Sequence, residues 1–224
     1  MTHGWQPRNV SPLLPPAARR LAIILLCSAV LVLAAGAVLV HDQYADPLDR
    51  RVDWWAMAHL GGHGEALHLV SDLGQKAGVT VIIAIVFLAC LAARRANGAV
   101  LAVVGTPAAA VVTEKALKPL TGHLYLNASY PSGHTTSFFA LITTVAVLLT
   151  GTPASKVRPA VRIAIVATGV LIGCAIGLAV IALGDHRLID TVGGAAVGIA
   201  VVVIVTLLLD LPASRRLLGL PWPT

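Results

Sequence analysis

Charge is scarce in this sequence. Only 12% of the 224 residues are Asp, Glu, Lys or Arg, about half the roughly 25% of a soluble domain. A chain so poor in charge cannot coat a water-soluble surface around the apolar residues it carries, which make up 57%. Aromatic residues are also few, at 4%, so the apolar content is mostly Ala, Val, Leu and Ile. There are three cysteines and no Cys-x-x-Cys pair, which excludes a disulfide framework or a thiolate metal centre. Cys27, Cys90 and Cys174 all fall inside apolar runs and read as buried hydrophobes.

What the sequence does have is long apolar runs. A helix needs about 20 apolar residues to cross the hydrocarbon core. Six segments qualify, near 21–40, 78–93, 99–117, 135–152, 160–183 and 187–209. The predicted fold class is all-α: a polytopic membrane protein with a six-transmembrane-helix bundle in 21–210, flanked by tails at 1–20 and 211–224. The first run follows Arg19 and Arg20, as a signal peptide would. It is longer than a typical signal core and ends in His41-Asp42-Gln43, so a retained helix is expected.

The formal charge of +6 suggests topology here, not nucleic acid. With the N-terminus inside, Arg8, Arg19, Arg20, Arg94, Arg95, Lys156, Arg158, Arg162, Arg215 and Arg216 are cytoplasmic, 10 of the 16 basic residues. Of the ten acidic residues, only Asp210 lies inside. The positive-inside rule then places both termini in the cytoplasm of a multi-pass cell-membrane protein. Residues 41–77 remain outside, where Trp54 and Trp55 suit the headgroup region and predict one or two short interfacial helices between the first two spans. His59 and His63, four apart with His68 beyond, are either a metal-binding face or the polar side of that segment. The expectation is no metal.

Two outer segments carry polar residues that need explaining. In Tyr130-Pro131-Ser132-Gly133-His134-Thr135-Thr136 a tight turn runs straight into an apolar helix. A helix start offers free N–H groups and a positive dipole end, so an anion fits there. Ser132 adds a hydroxyl, Gly133 allows close approach and His134 adds an imidazole that can give up a proton near neutral pH. The second segment holds His186 and Asp190 at i, i+4. On one helical face the carboxylate would fix the imidazole tautomer and leave the other nitrogen as base or nucleophile. The same pair also reads as a helix-terminal ion pair. Lys118 supplies a cation just before Pro119, and Lys115 stands one turn earlier. Glu114 is spaced to pair with Lys118. After Asp190, Gly193, Gly194 and Gly198 form a small-residue face, open to use within the bundle or between subunits.

Together these motifs resemble the type-2 phosphatidic acid phosphatase family, which includes polyprenyl diphosphate phosphatases. The second motif, Pro-Ser-Gly-His, is intact at 131–134. His186 and Asp190 match the end of the third, and Leu183-Gly184-Asp185-His186 fits the usual approach to it. Lys118 matches the lysine of the first, with Leu120 and Gly122 in its rhythm. The order, spacing and six helices agree over nearly the whole chain after residue 20. Two positions depart: where the family carries clamping arginines, this chain has Tyr125 and Val180. Lys115, His123 and Arg187 are the candidate replacement donors.

The resemblance implies a lipid phosphatase acting on a lipid phosphate or diphosphate, of polyprenyl diphosphate or phosphatidate type, at the outer face. His186 would attack phosphorus, Asp190 orient it, and His134 protonate the leaving oxygen. Lys118, Ser132 and the Gly133 amide would hold the phosphoryl oxygens, with no cofactor or metal. The bilayer and a lipid phosphate are the partners. A lipid phosphotransferase using the same His-His-Asp set, or a non-catalytic lipid-phosphate-binding protein, are the alternatives.

Overall fold

The computed structural model describes residues 12–41, 47–121, 130–152 and 156–211. Among these the chain is all-α, with no strand. Helix α1 is Pro16–His41, α2 Pro47–Leu60 and α3 Gly64–Asp72, with a 3₁₀ turn at Gly61–His63 between the last two. Then come α4 at Lys76–Ala92 and α5 at Ala96–Val111. A π-helical stretch at Val112–Leu117 leads into the short α6, Lys118–Thr121. Helices α7, Gly133–Thr150, α8, Pro159–Ala182, and α9, Leu188–Leu209, complete the fold.

Among the described residues, six helical segments are long and apolar enough to cross a membrane. Five lie close to the expected spans, with α1 starting at Pro16, ahead of the predicted residue 21; the second runs from Pro47 to Ala92, and the expected span at 78–93 is its last part, α4. The expected interfacial region resolves into α2, the 3₁₀ turn and α3. His59 on α2 turns its Nδ1 to the Trp55 carbonyl at 2.9 Å. The described residues hold no group of three or more His, Cys, Asp or Glu arranged for a metal ion.

Helices α5, α7 and α9 form the centre. In the most apolar stretch of α9, 56% of residues are buried within the protein, against 11% in α1. The outer helices present Leu, Ile and Val outward, as at Leu31, Ile85 and Leu171, the surplus that only lipid can cover. Cys27 and Cys174 lie on this exposed side, so the expectation of three buried cysteines holds for Cys90 alone. Sulfur is apolar enough for a lipid-facing position, and hydropathy does not say which face of an all-apolar helix a residue takes.

Helix α9 lies against α7 through glycine. A Cβ on Gly198 would sit 2.6 Å from the Thr136 carbonyl oxygen and 2.7 Å from the Ala140 nitrogen, and one on Gly194 would run into Thr135 and the Ser132 carbonyl. Gly193 faces the Tyr130 ring, as does Gly36 of α1. The small-residue face therefore works inside the bundle, letting two backbones approach as they do in membrane helix pairs. At the opposite end, Asp210 accepts the Leu13 and Leu14 N–H groups at 2.9 and 3.0 Å, fastening the start of the chain to the end of α9.

Candidate active site

The Pro-Ser-Gly-His turn stands where the fold is tightest. Pro131 follows a cis peptide bond, Ser132 is the N-cap of α7 and Gly133 its first residue. The Ser132 N–H donates to the Asp190 carbonyl at 2.9 Å, so the second and third motifs are joined directly through backbone. The Ser132 carbonyl in turn accepts from the Thr136 N–H and hydroxyl at 3.0 and 2.8 Å. Ser132 is wholly buried, and its hydroxyl has no hydrogen-bond partner among the described atoms. A buried hydroxyl at a helix start is an available donor beside the positive end of the helix dipole.

Tyr130 anchors the turn from the other side. Its hydroxyl donates to the Leu33 carbonyl of α1 at 2.8 Å. Burial, and behind it the negative charge of Asp190, push the phenol up to about 12, so it remains a neutral donor. The Thr121 hydroxyl lies 2.8 Å from the Leu117 and Tyr130 carbonyls; with one proton it donates to one at a time.

His186 reaches the site differently from the expectation. It does not share a helical face with Asp190, because α9 begins only at Leu188, with Arg187 as N-cap. Asp190, the third residue of α9, reaches back to the Arg187 N–H at 2.9 Å, which fixes the helix start after His186. Gly184, with φ at +80°, turns the chain out of α8. The Asp185 and His186 N–H groups return to the Val180 carbonyl at 3.0 and 3.3 Å. The His186 ring is still delivered to Asp190, Nδ1 to Oδ2 at 3.7 Å. That is an ion-pair distance for a protonated ring and too long for a hydrogen bond. Both side chains are more than nine-tenths buried.

His134, second residue of α7, brings its ring edge-on to that of His186, centroids 6.1 Å apart and planes at 72°. Imidazoles from α7 and from the turn between α8 and α9 thus meet at the start of α7. Gly74, in the turn before α4, backs His134: a Cβ there would sit 3.1 Å from its carbonyl oxygen.

The lysine is present but engaged. Lys118 Nζ pairs with Glu114 Oε1 at 2.7 Å, the i, i+4 alternative open in the sequence. Both head groups lie over the first residue of α7: a Cβ on Gly133 would be 2.7 Å from Glu114 Oε1 and 3.8 Å from Lys118 Nζ. The π stretch that carries Glu114 follows Pro107, which removes one helical N–H donor inside α5. π turns of this kind recur at functional sites. Thr113 on the same stretch donates to Thr136 of α7 at 3.2 Å.

The structure therefore brings together His134, His186, Asp190, Lys118, Ser132 and Gly133. Lys115 and Arg187 are exposed. His123 lies outside the described residues, as do Gly122 and Tyr125. Val180 is fully buried, so no cation reaches the site from the third-motif position.

Two further residues at the site are not singled out by any sequence motif. Asp49 of α2 accepts the Ile189 N–H at 3.0 Å, and Asp53 accepts that of Leu188 at 3.3 Å. The first amides of α9 thus end on carboxylates. Two acidic residues at i, i+4 in an otherwise interfacial, aromatic segment were the available signal.

An all-helical bundle with six membrane-length helices and a two-imidazole cluster at one helix start defines a class of multi-pass membrane proteins. The PAP2 superfamily model matches residues 100–211, and the chain belongs to that superfamily. The solved structure of a transmembrane PAP2-type phosphatidylglycerolphosphate phosphatase from Bacillus subtilis is similar, with a TM-score of 0.66 at 18% identity, covering 80% of this chain and 93% of that one. That likeness extends to the fold. No curated protein matches the chain.

Proposed function

We propose that the protein is a membrane lipid phosphatase that hydrolyses a lipid phosphate or diphosphate through a phosphohistidine on His186. The observation that carries this reading is the meeting of the His134 and His186 rings at the start of α7. That separation suits two imidazoles sharing one phosphoryl group.

In this reading the phosphoryl oxygens take the Gly133 amide, the Ser132 hydroxyl and Lys118, which would leave Glu114 to do so. Donors aimed at developing charge in a dry site are the main catalytic resource for phosphoryl transfer. His186 attacks phosphorus and the P–O bond to the lipid breaks. Protonated His134 gives its proton to the leaving oxygen, then as a base takes one from the water that cleaves the P–N bond. Asp190 orients His186 and offsets the positive charge the ring gains. The excess of basic residues in the opposite loops supports a site on the outer face.

Specific features also favour a second reading. Val180 supplies no cation and Lys118 is already paired, so among the described residues the site has little fixed positive charge. A phosphotransferase would deliver the same phosphohistidine to a lipid alcohol. The test is phosphate release by purified protein from polyprenyl diphosphate, phosphatidate and phosphatidylglycerol phosphate, with and without lipid alcohols. Hydrolysis predicts free phosphate, unchanged by a metal chelator. His186→Ala should abolish it, and His134→Ala should lower it by about 10²–10⁴-fold, the worth of a positioned acid–base group. Phosphoryl transfer to the lipid alcohol, without free phosphate, supports the second reading. Lipid binding without turnover of any substrate removes both.

A further inference from the structure

We propose that Asp49 and Asp53 are positioning residues for the His186–Asp190 pair, and that α2 acts as a clamp on the first turn of α9. Their role in turnover rests on the hydrolase reading above; their role in holding α9 does not.

Helix α2 is two-faced. Asp49, Asp53 and Ala56 follow one another at helical spacing. Asp49 is 5% exposed and Ala56 fully buried, the latter packed with Ile181 and Ala182 of α8. The opposite side carries Arg50, Arg51 and Trp54, with Trp54 69% exposed. The inner face therefore looks into the protein where α8 ends and α9 begins.

The first N–H groups of any helix have no partner inside it. In α9 three consecutive amides, those of Arg187, Leu188 and Ile189, go to the carboxylates of Asp190, Asp53 and Asp49 at 2.9, 3.3 and 3.0 Å. Two of these acceptors come from residues 135 and 140 positions away in sequence. Carboxylates one turn apart repel each other, and a third stands beside them in Asp190. The positive end of α9 offsets that repulsion, whereas a neutral Ser or Asn cap would satisfy one of these amides without it. What the carboxylates add is a tie between elements. They fix the first turn of α9 against α2 and α8. His186 immediately precedes that turn and Asp190 lies within it. A shift of the turn would move both relative to His134. The clamp also occupies the α9 amides, which leaves the start of α7 as the helix end open to a phosphoryl group.

The test combines hydrogen exchange and kinetics on the full-length protein in lipid nanodiscs. In the Asp49→Ala/Asp53→Ala double variant, exchange at the Leu188 and Ile189 amides should rise about tenfold or more, as expected for loss of hydrogen bonds to charged groups. The rest of α9 should be unchanged. The kcat per folded protein should fall about tenfold or more with KM within about threefold, because geometry rather than lipid affinity is lost. Asn at each position keeps an oxygen acceptor and should restore most of the protection and of kcat. Trp54→Ala, on the outer face, should leave exchange at α9 unchanged. Unaltered exchange at Leu188 and Ile189 overturns the clamp. Wild-type kcat per folded molecule in the double-Ala variant overturns the positioning role and leaves a purely structural one. If the wild type releases no phosphate from any lipid, the hydrolase reading fails, while the exchange comparison still decides the clamp.

Discussion

Gly198→Ala adds a single methyl group, yet the structure gives it no room. The new Cβ would lie 2.6 Å from the Thr136 carbonyl oxygen and 2.7 Å from the Ala140 nitrogen. Both are backbone atoms of α7, so no side-chain rotation can relieve the contact. Ordinary contact begins at 3.4 Å, so α7 and α9 must part by about 0.8 Å, well inside the steep wall of the van der Waals potential. Overpacking of this kind costs about 1–3 kcal/mol, and a protein of this size loses roughly 2–4 °C of Tm per kcal/mol. The displacement falls one turn from Gly194, which abuts the Ser132 carbonyl, so the two motifs should separate as well. Activity should fall about tenfold or more, since a shift of about 1 Å at a reacting centre can cost about 10²-fold. Gly177→Ala is the control: its Cβ would meet Thr191 and Thr135 carbon atoms at 3.4 to 3.7 Å and should be tolerated. Thermal melting in detergent and phosphate release measure both effects. A Gly198→Ala protein that melts and turns over like the Gly177→Ala control would refute the close α7–α9 contact.

Two further substitutions probe the rim of the site. Glu114→Gln removes the charge that holds Lys118. An exposed pair of this sort is worth up to about 1 kcal/mol, so KM should fall by up to about fivefold in a lipid-phosphate assay. A rise in KM would show instead that Glu114 helps bind substrate. Gly184→Ala meets no atom within 4 Å, but the residue sits at φ +80°, where L-residues pay roughly 1–2 kcal/mol. Its Tm should drop by a few degrees, and Gly184→Asn should cost less because Asn tolerates that region. Equal melting of both variants and wild type would mean the turn relaxes to another conformation.

Much of the architecture was legible because membrane helices announce themselves by length. The spans follow from where apolar runs begin and end, and the short helices before α4 from Trp54 and Trp55 in the segment between the first two runs. The Pro-Ser-Gly-His turn was legible for a similar reason: Pro, Gly and a following apolar run define a helix start. The face each helix shows to lipid was not, and Cys27 and Cys174 illustrate it, since an all-apolar helix has no amphipathic stripe to read. The pairing of His186 with Asp190 was legible from their spacing, but the helix start between them was not. Spacing of four suggests one helical face, but Asp190 caps its own helix and so excludes His186 from it. Asp49 and Asp53 stayed hidden because their partners are backbone amides, which have no sequence signature, more than 130 residues away.

The missing third-motif arginine is tied to how the His186 turn is built. The Val180 carbonyl receives the Asp185 and His186 N–H groups, and the side chain at that position is fully buried. Val180→Arg therefore does not simply restore a phosphate clamp. A guanidinium placed there would either stay buried without a partner, which costs several kcal/mol, or force its way toward the site and pull the end of α8 with it. The expected result is loss of monodisperse protein on size exclusion, not a lower KM. Among the described residues, the site's positive charge then comes from the start of α7, from Lys118 once released by Glu114, and from imidazoles that gain charge as they react. A folded Val180→Arg protein that binds lipid phosphate more tightly would refute this account by showing that the turn has room for a phosphate clamp.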